Sequence, residues 1–208
     1  MNCKLIGVLD YDSGNLLSVR KAIESIGHNV ELIDVSSDSP SELSRFDTVV
    51  LPGVGAFGSA MDKLDKSGFV EPLKDAAASG QPIVGICLGM QLLFESSTEF
   101  GMHEGLSMIK GSINHLSTHL SGIRVPNIGW CKLQGTSNQS EESVISGQYG
   151  YFVHSFYATN VDDDNIIAVT EYMGCTVPAI VCNDNVIGFQ YHPEKSGPGG
   201  LALLKRFL

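Results

Sequence analysis

No apolar run in this chain of 208 residues is long enough to cross a bilayer. The longest runs are strand-sized and stop at Gly, Pro or Asp. The N-terminal stretch "MNCKLIGVLDYDSG" lacks the form of a secretory signal. It carries one Lys and a short apolar run that ends in acids, and it reads as a first strand. Basic charge is also scarce, with 13 Lys and Arg against 23 Asp and Glu, a net charge of −10. Phosphate binding needs a basic surface, so nucleic acid is not an expected partner, and neither is a membrane. The five cysteines (Cys3, Cys87, Cys131, Cys175 and Cys182) are odd in number and scattered, without a C-x-x-C pair. With no export signal, the expected setting is a reducing cytoplasm with free thiols.

What is present describes a folded chain. Hydrophobic residues make up 43% and charged residues 17%, which is outside the range of disordered sequences. The length suits one well-cored domain over residues 1–208. The first half alternates strand and helix. "KLIGVLDY" (4–11) is a near-continuous apolar run, as a strand covered on both faces should be. In the following stretch Leu16, Val19, Ala22, Ile23 and Ile26 recur at helical spacing, and Gly27 is a suitable stop. Further strands are expected at 29–35, 47–53 and 82–87, with a helical stretch over about 57–79 that breaks near Gly68. This βαβα order predicts an α/β fold with a mostly parallel central sheet and helices on both faces. Ligands then sit at the carboxyl ends of the strands, where Cys87 and the loop Pro52-Gly53-Val54-Gly55 fall. The second half is β-rich, with strands expected over 151–159, 165–172 and 177–193. Asn183-Asp184-Asn185 is a hairpin turn within the last of these. The polar stretch 136–148 reads as a surface loop, and 201–208 as a closing helix.

Gly85-Ile86-Cys87-Leu88-Gly89 fits the nucleophile-elbow pattern, in which a tight strand-to-helix turn presents the nucleophile. The glycines let neighbouring elements approach that turn closely. The sulfur then lies at a helix start, where free N–H groups favour thiolate, and the Leu88 N–H is the natural first oxyanion donor. A packed cysteine on a βα turn is the alternative. A thiol nucleophile needs a base and a group that orients the base. In "GFQYHPEKS", His192 ends an expected strand and Glu194 follows two residues later, on the same side of an extended chain. His192 is therefore the candidate base and Glu194 its orienter. The alternative is a strand-end histidine beside a solvated glutamate. His154 is the rival base but has no carboxylate close by in sequence, and it reads as a packed strand histidine. His115 and His119 have i, i+4 spacing without an acidic third ligand, so no metal is expected. His28 and His103 have no constellation around them, and no cofactor is implied.

With Cys87, His192 and Glu194 in place, the chain resembles the class I (triad) glutamine amidotransferases. Within them it is similar to the glutaminase subunits of imidazole glycerol phosphate synthase, of histidine biosynthesis. The resemblance rests on "DYDSGNLLSV" (10–19), "LPGVGAFGSAM" (51–61), "GICLGMQLLFESSTEFG" (85–101), "VPNIGW" (125–130), "YFVHSFY" (151–157) and "FQYHPEKSG" (189–197). It implies a flavodoxin-like fold and glutamine hydrolysis to glutamate and ammonia through a Cys87 thioester, with His192 moving protons. It further implies ammonia transfer through a tunnel to a (β/α)8-barrel cyclase partner. By position, Gly53 and Val54 match an oxyanion strand that is often set only when the partner and its ligand are bound. Gln91, Glu99, Ser155 and Phe156 match glutamine-binding positions. Asn15, Trp130, Tyr151 and Lys195 match the partner interface or tunnel mouth. The chain departs from the family pattern at three places. Asn127 stands where His is usual, Cys131 where Asn is usual, and Asp12 where a small residue is common. The resemblance puts Asn127 and Cys131 where the family touches its partner. An alternative partner is therefore a sugar-modifying amidotransferase of surface polysaccharide biosynthesis. Further alternatives are a free-standing cysteine hydrolase, which Gln91 and Glu99 argue against, and a non-catalytic binding module, which would need no triad.

Overall fold

A computed structural model describes residues 3–118, 122–136 and 142–208. The chain runs β1 (Leu5–Asp10), α1 (Leu16–Ser25), β2 (Asn29–Asp34), β3 (Thr48–Leu51), α2 (Phe57–Lys66), α3 (Val70–Ala78), β4 (Ile83–Ile86) and α4 (Leu88–Leu92). It continues with β5 (Phe94–Ser97), β6 (His103–Glu104), β7 (Ile109–His115), β8 (Asn127–Lys132), β9 (Gln134–Gly135), α5 (Glu142–Ile145), β10 (Tyr149–His154) and β11 (Phe156–Thr159). It ends with β12 (Ile166–Tyr172), β13 (Cys175–Asn183), β14 (Val186–Phe189) and α6 (Gly197–Phe207).

The main sheet has the order β2-β1-β3-β4-β14-β13-β12-β9. Its first five strands are parallel, and β13, β12 and β9 extend it antiparallel. The expected parallel sheet is therefore present, and part of the β-rich second half joins it. The β13–β14 hairpin turns at Asp184-Asn185, with Asn183 paired to Val186. The reason it docks beside β4 is compositional. Val186, Ile187 and Phe189 are buried, as are Ile83, Val84 and Ile86 opposite. A strand apolar on both faces belongs in a sheet interior.

Helices cover both faces. Leu64 of α2 and Leu73 of α3 pack with Leu9, Leu51 and Phe69 on one side. Val19 and Ile23 of α1 and Leu203 and Leu204 of α6 pack with Val8, Val50, Ile86 and Phe189 on the other. Gly27, at φ +98°, ends the first helix as its position predicts. Gly68, at φ +75°, separates α2 from α3.

Two expectations need correction. The stretch 151–159 is two strands rather than one. β10 pairs with β8 and β11 pairs with β7, so the chain changes sheets at Ser155. The burial alternation of 151–154 breaks at Ser155 and Phe156, where the chain passes from one sheet to the other. The polar stretch 136–148 contains the turn α5, whose Ile145 is fully buried, while residues 137–141 lie outside the described part. Among the described residues, no helix is long and apolar enough to cross a membrane.

Candidate active site

Three adjacent strands bring the site together. β3, β4 and β14 lie side by side and end level, with Leu51 opposite Gly85 and Phe189 opposite Ile86. β3 leads into the Pro52-Gly53 loop, β4 into Cys87, and β14 into His192. Residues separated by more than one hundred positions thus meet at one edge of the sheet.

Cys87 adopts φ 53°, ψ −106°, a conformation that L-residues rarely hold. Its N–H donates to the Phe189 carbonyl at 2.7 Å, so β14 fixes the backbone of the elbow. The elbow is tight because its glycines have no side chains. A Cβ at Gly85 would lie 2.6 Å from the backbone of Gly89 and Met90. α4 is only five residues long, so its free N–H groups matter more here than a helix dipole.

His192 is fully buried, and its Nδ1 lies 2.8 Å from Glu194 Oε1. The pairing expected from sequence is present, but by a different route. Residues Pro193–Lys195 form a 3-10 turn, not an extended strand, and the turn brings Glu194 back under the imidazole. The His192 backbone is fastened as well. Its N–H donates to Tyr151 O at 2.9 Å, and Ser196 Oγ donates to His192 O at 2.6 Å. His192 Nε2 is buried and makes no hydrogen bond among the described residues. The Cys87 Sγ–H points to the Val153 carbonyl at 3.7 Å. Burial pulls the imidazole downward. The nearby Cys87 sulfur and the hydrogen-bonded Glu194 carboxylate outweigh it and push His192 up to about 9. A base raised above its ordinary 6.5 contributes stability that is complete below pH 6.5 and is lost as pH climbs through about 9. Urea unfolding midpoints should therefore fall over that window. Glu194→Gln should flatten the decline, and an unaltered slope in this variant would exclude the charge pair as its source.

Asn15 does something the sequence did not indicate. Expected at a partner interface, it donates from Nδ2 to Glu194 Oε1, the same oxygen that meets His192. It sits at φ 82° at the start of α1, a conformation asparagine tolerates better than most residues. Trp130 is 56% exposed and stacks edge-on with Tyr151 at 5.7 Å, so these two form an aromatic surface on the β8–β10 ribbon. Lys195 is exposed beside the triad turn.

A cleft of about 300 Å³ opens over Cys87. Leu88, Gln91, Glu99, Ser155 and Phe156 line it, together with Val54. Gln91 donates to the Phe156 carbonyl at 3.0 Å, and one Glu99 oxygen accepts the Phe57 N–H at 2.6 Å. His154 also lines the cleft, but both of its ring nitrogens are engaged, by Phe156 O at 2.9 Å and by Asn127 at 3.0 Å. Burial, opposed by the Phe156 hydrogen bond, depresses it to about 4. It is a packed neutral histidine, not a rival base. His115 bonds Ser117, and its spacing partner His119 lies outside the described residues.

The oxyanion positions are in a closed arrangement. The Leu88 N–H donates to the Gly53 carbonyl at 3.3 Å, so the expected donor is already occupied. Gly53 is held from behind by Tyr11 and Ser13, whose hydroxyls both donate to the Pro52 carbonyl. Neither hydroxyl carried a sequence signal. The two departures at 127 and 131 also fall differently from expectation. Asn127 is 1% exposed and faces His154, with the half-buried Cys131 on its other side. On an antiparallel strand, side chains alternate, so Ile128 and Trp130 face outward while Asn127 faces inward.

Comparison with known proteins agrees with this geometry. Residues 7–208 match the family model described as "Glutamine amidotransferase class-I". The imidazole glycerol phosphate synthase subunit HisH of Caldanaerobacter subterraneus is 43% identical over 204 residues, covering 98% of this chain and 97% of that protein. The subunit of the same name from Sulfurimonas denitrificans is 43% identical over 205 residues, with the same coverage. Among solved structures, PurLQS from Thermotoga maritima superposes with a TM-score of 0.73 at 21% identity, covering 100% of this chain and 98% of that one. A structure described as a glutamine amidotransferase gives 0.74 at 15% identity, covering 96% of each chain. These two share the fold. Matched along nearly its whole length at more than forty percent identity, the chain belongs to the class I glutamine amidotransferases, in the branch of the imidazole glycerol phosphate synthase HisH subunits.

Proposed function

We propose that residues 1–208 act as one glutaminase domain that supplies ammonia to the cyclase subunit of imidazole glycerol phosphate synthase in histidine biosynthesis, in the cytoplasm. Cys87 Sγ turns from the Val153 carbonyl toward His192 Nε2, the unpartnered nitrogen, and gives it the proton. The sulfur attacks the side-chain amide carbon of glutamine. His192 returns the proton to the amide nitrogen, the C–N bond breaks and ammonia leaves. Water, deprotonated by His192, then cleaves the thioester and frees glutamate and the thiol. Glu194, held by Asn15, keeps the Nδ1 proton in place. Gln91, Glu99 and the backbone at Ser155 and Phe156 hold the amino-acid end of the substrate. The Leu88 and Val54 N–H groups bind the oxyanion once the Gly53 carbonyl has moved away. The cyclase chemistry belongs to a (β/α)8-barrel partner, which meets the Trp130–Tyr151 surface and Lys195.

The observation that carries this reading is a bonded His192–Glu194 pair at the end of the strand beside Cys87, combined with an occupied oxyanion donor. Such a site is expected to wait for a partner. Glutamate release should be slow for the isolated chain and rise by about two orders of magnitude or more with the cyclase subunit and its ribulosyl phosphate ligand, the scale of one restored oxyanion donor. A fast reaction without the partner would refute the gating. No rise with the cyclase would redirect the ammonia to another acceptor. The sugar-modifying partner drew its support from Asn127 and Cys131, and both lie behind the strand's outer face.

A further inference from the structure

The cleft wall opposite Cys87 contains more hydrogen-bonding chemistry than the glutaminase reaction uses. The Phe156 carbonyl receives two side-chain donors, His154 Nδ1 at 2.9 Å and Gln91 Nε2 at 3.0 Å. A carbonyl only accepts, so the His154 proton is on Nδ1. Nε2 of a neutral imidazole is then bare, and a buried bare nitrogen needs a donor. Asn127 Nδ2 supplies it at 3.0 Å. That contact fixes the orientation of the amide. Asn127 Oδ1 and Nδ2 lie 3.7 and 3.8 Å from Cys131 Sγ, so the thiol meets both ends of the amide. The donors therefore run one way from Asn127 through His154 to the Phe156 carbonyl.

We propose that Asn127 is a positioning residue for glutamine binding, because its amide locks His154 as the Nδ1–H tautomer that, with Gln91, aims the Phe156 backbone into the cleft. Asn127 is not part of the cleft lining, so it acts only through His154. The proposal rests on the glutaminase reading. It adds a role on β8, on the strand whose outer face carries Ile128 and Trp130. Two substitutions separate positioning from mere packing. Asn127→Leu keeps the volume but removes the donor. Asn127→Asp replaces the donor by an acceptor, which draws the proton to Nε2. The charged and titratable groups around the ring are His192, which opposes its protonation, the Cys87 and Cys131 thiols, and Glu99 across the cleft.

Glutamine binding is measured by calorimetry in the Cys87→Ala background, and steady-state kinetics are measured in the complex with the cyclase. Binding to Cys87→Ala itself tests the glutaminase reading, independently of position 127. Asn127→Leu should weaken binding and raise KM by about tenfold, the scale of one lost hydrogen bond to a buried group, with kcat within about twofold. In Asn127→Asp the imidazole stays doubly protonated at low pH and keeps its bond to Phe156. As pH rises it loses the Nδ1 proton, so KM should climb between about pH 5.5 and 8.5, where the parent protein shows no such trend from His154. Unchanged KM in the leucine variant, or equal loss of kcat and folded protein, would overturn the proposal. If the leucine variant does not fold, the aspartate variant decides, and a KM profile parallel to the parent's would overturn it equally.

Discussion

Cys87→Ala should lose glutamate release by on the order of 10⁴-fold or more in the complex with the cyclase, while the protein folds and binds its partner as before. Removing the nucleophile of a triad leaves only the catalysis that binding and the oxyanion donors supply, and losses of this order are usual. The fold should tolerate the change because the side chain contributes little else. Cys87 makes one weak sulfur contact, to Val153 O at 3.7 Å, and its backbone is held by the Phe189 carbonyl whatever the side chain. Alanine at φ 53° carries the same backbone strain as cysteine. The measurement is glutamate release with saturating cyclase and ligand, alongside thermal unfolding of both proteins. Near-normal release by the variant would mean that another group attacks glutamine, and the mechanism would fall.

Gly89→Ala is expected to cost about 3 kcal/mol or more of folding stability. A Cβ at this position would sit on the Leu51 carbonyl oxygen and 2.6 Å from its carbonyl carbon. Both are backbone atoms at the end of an interior strand, so no side-chain rotation relieves the clash. α4 would have to lift off β3, and with it the elbow and the Pro52-Gly53 loop. Gly80→Ala is the matched control. Gly80 has φ +89° but open space around it, so alanine there should cost only about 1 kcal/mol, for backbone conformation alone. The comparison is made by urea unfolding of the three proteins. Equal midpoints for the two variants would show that close approach at Gly89 is not what the elbow requires. For a domain stable by about 5–15 kcal/mol, the Gly89 penalty is a large fraction of the total.

The chemistry of the site was legible where it is written locally. Gly85, Cys87 and Gly89 fall at spacings dictated by one tight turn, and His192 and Glu194 are two residues apart. Such short-range patterns survive translation into structure because the chain itself holds the residues near each other. Even there the detail differed, since a 3-10 turn and not a strand brings Glu194 to His192. The bond from Asn15 to Glu194 was not legible for the opposite reason. It is 179 positions from Glu194, and no local pattern predicts that α1 starts beneath the β14 turn. The inward orientation of Asn127 was not legible because strand parity cannot be assigned from a short segment that contains a glycine. At the break at Ser155 the polar pair His154-Ser155 interrupts the apolar run, but periodicity counts buried faces and not which sheet buries them.

The sequence by itself determined the alternation of strands and helices, the parallel first half, the tight turn at Cys87, the closeness of His192 and Glu194, and the excess of acidic over basic residues. These follow from periodicity, turn chemistry and charge, all of which act over a few residues. Tertiary structure alone decided that β14 lies beside β4, so that His192 arrives next to Cys87. It also decided that the Gly53 carbonyl occupies the Leu88 N–H, and that Asn127 and His154 donate in line to the Phe156 carbonyl. The physical reason is the same in each case. Backbone and buried polar groups must find partners, and which partner is nearest is settled only when distant segments pack against one another.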